Sequence, residues 1–87
     1  MIIQVKQEHL DNGMRGNKCY CPVALALKEA LKTENVVVTP GLYVDNVYIQ
    51  ASMDVLTDNG STLYDRIGLI DCGWKLNPFS FEIKYND

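Results

Sequence analysis

The sequence has no run approaching the roughly 18 consecutive apolar residues that a bilayer-spanning helix needs. Its first six residues alternate polar and apolar and lack the apolar stretch of a secretory signal. A soluble, cytoplasmic chain with no membrane partner is therefore expected. There are three cysteines, an odd number that reads as reduced thiols and not as a disulfide framework. His9 is the only histidine, which leaves a single imidazole for general-base chemistry. A basic excess is also missing: eight Lys and Arg stand against eleven Asp and Glu, for a net charge of −3. That balance excludes a general nucleic-acid binder, which carries a basic face. Neither a P-loop nor a dinucleotide fingerprint is present.

What remains is an ordinary globular composition. Eighty-seven residues make one domain, 1–87, and 47% of them are hydrophobic. That is enough for a core and argues against disorder, though a chain this short has a thin stability margin. The charge is uneven. Residues 1–44 carry five cations and four carboxylates, and residues 45–87 carry three and seven.

Periodicity predicts a strand over 2–6, then a short helical turn over 7–12 stopped at Gly13. A glycine-punctuated loop over 14–18 carries Arg15 and Lys18. Pro22 suits the first position of a helix, and strong helix formers continue it over 23–32. Its stripe is Val23, Ala26, Leu27, Ala30 and Leu31, with Lys28, Glu29 and Lys32 opposite. Strands follow over 35–39, 42–44 and 47–50, with Pro40-Gly41 and Asp45-Asn46 as turns. An acidic loop spans 51–60. Thr62 caps a second long helix, with Asp65 three residues on, Leu63, Ile67 and Ile70 as its stripe, and Gly73 as its end. Gly68 weakens its middle. A last strand alternates Phe79, Phe81, Ile83 and Tyr85 with polar residues. The order is β-α-α-β-β-β-α-β, an α+β domain with a mostly antiparallel sheet and helices packed on one face. The expected core joins Phe79, Phe81, Ile83 and Leu27, with Ile67 and Ile70 on the same side.

Gly13-Met14-Arg15-Gly16, followed by Cys21-Pro22-Val23-Ala24-Leu25-Ala26-Leu27, resembles a family of small proteins encoded by bacteriophages and related mobile elements. Gln7-Glu8-His9 near the start, Asp71-Cys72-Gly73, and the ending from Asn77 to Ile83 extend the likeness over most of the chain. The sequence departs from that pattern at Lys6, where a Thr or Ser cap is expected, and in the longer loop 51–60. The resemblance brings no functional residues with it. It implies a viral accessory role in the host cytoplasm, where such proteins bind host machinery, including defence systems.

Four constellations are candidates for chemistry. Cys19, Cys21, Cys72 and His9 are the components of a Cys3His zinc site, but one residue between the first two cysteines is poor spacing. The plain alternative is that Cys21 and Cys72 pack as small apolar residues, with no metal and no cofactor. Cys21 beside a helix N-terminus, with His9 as base, is the enzymatic reading; no third group or oxyanion motif completes it, and no catalytic residue is assigned. Arg15 and Lys18 near the same helix start suit a phosphate or nucleotide, against a solvated loop. Asp54, Asp58, Asp65 and Asp71 offer carboxylates to a basic partner, against plain solvation. Asp58-Asn59-Gly60 lacks the alternating ligands of a calcium loop.

The leading expectation is a non-enzymatic binding protein that inhibits a host factor, a defence nuclease or its complex, in the manner of an anti-CRISPR protein. Leu25, Asp54, Asp58 and Asp65 are its expected contacts. The alternatives are a nucleotide or cyclic-dinucleotide sponge using Arg15 and Lys18, and a small cysteine-dependent enzyme. Leu25, lying among Lys28, Glu29 and Lys32, is expected to be covered by a second copy of the chain, by the target, or from within the chain.

Overall fold

The best period-2 segment and the best amphipathic helix contribute to one hydrophobic core. The computed structural model describes residues 1–39, 41–50 and 55–84. Its elements are β1 (Ile2–Val5), α1 (Gln7–Asn12), α2 (Pro22–Leu31), β2 (Val36–Val38), β3 (Leu42–Val44), β4 (Val47–Gln50), α3 (Leu63–Asp71) and β5 (Phe79–Glu82). This is an α+β domain in the expected order.

The strands form two antiparallel sheets, not one: β1 with β5, and β2-β3-β4. Loops occupy the edges through which the sheets would merge. The Val38 N–H on β2 donates to the Lys18 carbonyl, and the Asp58 N–H donates to Ser80 on β5. An isolated bridge, Thr57 to Phe81, covers the same side of β5. Across β1 and β5, Ile3 faces Phe81 and Val5 faces Phe79. All four side chains are buried, together with Ile83, Leu27 and Ile70, and Ile67 packs against them half-buried. Tyr85 lies outside the described residues.

Local signals act where the sequence places them. Asp45 and Asn46 both take positive φ, 52° and 67°, as a two-residue hairpin turn requires. Thr62 Oγ1 accepts the Asp65 N–H at 3.1 Å and starts α3. Beyond its end, Gly73 is left-handed at φ +93°. The Gly73 N–H donates to Ile70 and the Trp74 N–H to Leu69, which is the paired closure of a Schellman motif. Gly13 differs from expectation. Its φ is −71°, so α1 does not stop there through a left-handed cap. A Cβ on Gly13 would lie 2.5 Å from the ring and nitrogen of Pro22. Glycine is needed for close approach.

α2 is buried on more sides than one stripe provides. It packs against α1, β1 and β2, so Ala24 is as buried as Val23, Ala26 and Leu27, while Ala30 is exposed. Lys28, expected on the wet face, is only 9% exposed. Its stem is covered, and its ammonium sits 3.8 Å from the centroid of the Tyr20 ring, a cation–π contact. Leu25, three residues earlier, is half-buried, so the chain itself covers part of it.

Gly68 has an ordinary helical backbone, and a Cβ there would meet nothing within 4 Å. Gly68→Ala should therefore stabilise the fold by about 0.5–1 kcal/mol through helix propensity alone. A domain of this size should gain several degrees in a thermal melt. A lower melting temperature would show that this face of α3 has no room for a methyl group.

Candidate functional site

α1 and α2 run antiparallel, with Gly13 against Pro22 at one end and His9 against Glu29 at the other. His9 is buried. Its Nδ1 accepts the backbone N–H of Lys6 at 2.9 Å. Because that N–H can only donate, the imidazole proton resides on Nε2, which donates to Glu29 Oε2 at 2.6 Å. Lys6 has no side-chain acceptor to cap α1, and the histidine supplies the reciprocal half of a capping box in its place. Lys6 Nζ reaches the other Glu29 oxygen at 3.4 Å.

The ligand atoms of Glu8, His9 and Glu29 lie within 4.8 Å of one another, the one such group among the described residues. A metal at Nε2 would move the imidazole proton to Nδ1, against the Lys6 N–H, and two donors would then face each other. The cluster is thus built as a hydrogen-bond network. The His9 bond, and after it Lys6, holds the Glu29 carboxyl below its ordinary 4.5. A carboxyl with a depressed folded pKa stabilises above its unfolded value, and the effect is lost as pH falls through the folded one. Glu29→Gln should lower stability at neutral pH, and its deficit should close below pH 4.5 in acid-titrated urea melts. A deficit that does not shrink at all as the pH falls through the carboxylate range would trace the effect to packing.

The cysteines do not converge on His9. Cys21 is the N-cap of α2, its Sγ accepting the Ala24 N–H at 3.4 Å. Glu29, which holds His9, lies eight residues further along, about 12 Å at the helical rise. Burial first of all pushes the Cys21 thiol up, against the hydrogen bonds it accepts, which is the reverse of an activated nucleophile. Cys72, expected to pack as an apolar residue, is exposed, because it lies some 200° around the helix from the buried Ile70. Alkylation read by mass spectrometry should modify Cys72 first and Cys21 only as the domain unfolds. Fast labelling of Cys21 at neutral pH would reinstate the cysteine-dependent reading.

Arg15 and Lys18 are parted. The start of α2 is closed, with Pro22, Val23 and Ala24 buried, so its N–H groups offer no phosphate seat. The Gly16 N–H donates to Asp71 at 2.9 Å, which ties the loop to α3 and commits one of the four acidic candidates. Lys18 lines a small depression with Asn17, Val38 and Ile67. Arg15 turns the other way, into a larger cleft of about 480 Å³. Asp58 and Asp65 are exposed, on the turn after Thr57 and in the first turn of α3. Neither side chain has a partner among the described residues. Asp54 lies outside them.

The larger cleft has α1 on one side and residues 70–76 on the other. Ile70 is its buried floor, flanked by half-buried Leu10 and Leu76. Arg15 and Lys75 are its cations, and Asp11 is its one carboxylate, held by the Gln7 amide at 2.9 Å. Trp74 stands on the rim, 67% exposed. Arg15 Nη1 lies 2.5 Å from the point a Cβ on Gly73 would occupy, so a side chain there would push the guanidinium aside. Trp74 and Lys75 belong to no periodic pattern, and the signal that could have found them is their place just after a left-handed helix stop. No protein family, curated protein or solved structure matches this chain.

Proposed function

We propose that this chain is a non-catalytic binding protein whose contact surface is the cleft between α1 and the turn at Gly73, a phage-type accessory factor that holds a host component there. Trp74 carries the reading. A large indole is left open to water on a backbone fixed by the α3 stop, beside an arginine and over an apolar floor. Tryptophan and arginine are among the residue types most enriched at the few positions that carry most of a binding energy. The test captures the target from host lysate on immobilised protein and repeats the capture with Trp74→Ala. The variant should melt as the parent does and lose at least about 90% of the captured target, the effect of a contact worth a factor of ten or more. Undiminished capture would move the contact surface elsewhere.

A second reading, inhibition of a defence nuclease complex through the acidic half of the chain, is favoured by Asp58 and Asp65, which are exposed and have no partner among the described residues. In that case, association should slow steeply as salt screens the carboxylates, over about 10 Å at 0.1 M. Reversing both residues to lysine should reduce the association rate more than it raises dissociation.

A further inference from the structure

We infer that the occupant of the α1–Trp74 cleft is a small phosphorylated nucleoside, an inference that rests on the cleft being the contact surface. The lining sorts into parts that match such a ligand. Arg15 and Lys75 place two cations on one cleft against a single carboxylate, Asp11, in a chain whose net charge is −3. Anion selection here is local. The Arg15 guanidinium is seated across the bare backbone of Gly73, and no carboxylate among the described residues pairs with it. Its fork of donors is free for the bidentate geometry that phosphate oxygens accept.

A phosphate needs no apolar floor and no indole. Trp74 offers an exposed indole at the rim, and Ile70, Leu10 and Leu76 line the same cleft. Such a surface stacks a flat heterocycle in a manner tolerant of which base it is. Asp11, oriented by the Gln7 amide, can only accept. It suits the exocyclic amine of a base or a ribose hydroxyl and repels a bare polyanion. The volume of about 480 Å³ lies inside the roughly 300–1,000 Å³ range of small-molecule sites.

Trp74 is the only tryptophan, so its emission reports this cleft alone. The experiment titrates the full chain with adenosine and guanosine 5′-monophosphates, and separately with adenosine and with inorganic phosphate, by Trp74 emission and by calorimetry. At least one nucleotide should give a saturable change with a dissociation constant below about 1 mM. Adenosine alone and phosphate alone should each bind about tenfold more weakly or worse. Arg15→Gln, a surface change that leaves the melt intact, should weaken the nucleotide by about tenfold or more, the effect of removing a charge-assisted hydrogen bond. No saturable response to either nucleotide at about 1 mM, or equal affinity in Arg15→Gln, would overturn the inference. If both nucleotides fail while Trp74→Ala still abolishes target capture, the ligand class is wrong and the contact surface stands.

Discussion

Phe81→Ala is expected to leave the domain largely unfolded at ambient temperature. Phe81 is 2% exposed, is paired with Ile3 across the two-stranded sheet, and is bridged on its other edge by Thr57. It therefore sits where β1, β5 and the segment before α3 come together. Removing a buried phenylalanine ring costs about 3–5 kcal/mol, the transfer term plus the cavity left behind. Small domains hold only about 5–15 kcal/mol in total, and short chains lie at the low end. Ser80→Ala, one residue back on the opposite face, should change stability by no more than about 0.5 kcal/mol. Thermal melts followed by circular dichroism decide the matter. A Phe81→Ala chain that melts cooperatively within a few degrees of the parent would mean that the core is centred elsewhere.

That face was legible in the sequence, and the reason is periodicity. Phe79, Phe81 and Ile83 alternate with polar residues, and a half-buried strand admits one arrangement of such a run. The hairpin at Asp45-Asn46 and the end of α3 at Gly73 were legible because they need conformations few residues adopt. The helix starts at Pro22 and Thr62 were readable because an N-terminus leaves N–H groups that must be absorbed. What periodicity cannot reach is the relation between elements. Lys28 looked wet because its helix position faces away from the stripe, yet the Tyr20 ring, outside the helix, folds over it. One sheet was expected and two formed because the Lys18 carbonyl and the turn near Asp58, which carry no strand signal, take the edges. The cleft joins residues 7–15 to 70–76, across nearly the whole chain. Arg15 was singled out by its charge and Trp74 was not, since no local pattern marks a residue whose role depends on a distant partner.

The last expected result ties that distant pairing to a single missing methyl group. Gly13→Ala should destabilise the fold by about 1–3 kcal/mol and also impair the cleft. A Cβ at position 13 would lie 2.5 Å from the Pro22 nitrogen and Cδ and 2.6 Å from its Cγ. Those atoms cannot swing aside as the end of a long side chain does. They belong to the first residue of α2, which is itself buried and opens the central helix of the fold. α2 is fixed by both sheets, so the strain falls on the lighter partner, and α1, six residues long, must back away. At its other end α1 is pinned by His9 to Glu29, so the displacement becomes a pivot that is largest near Gly13. Leu10, Asp11 and Arg15, the members of the cleft nearest Gly13 in the chain, should move with it. Gly68→Ala provides the control, adding the same methyl group where nothing is displaced. The two variants should shift the urea midpoint in opposite directions, and only Gly13→Ala should alter the emission of Trp74 in the folded state. If Gly13→Ala is as stable as the parent, Pro22 and α1 have room to part, and Gly13 does not set the cleft.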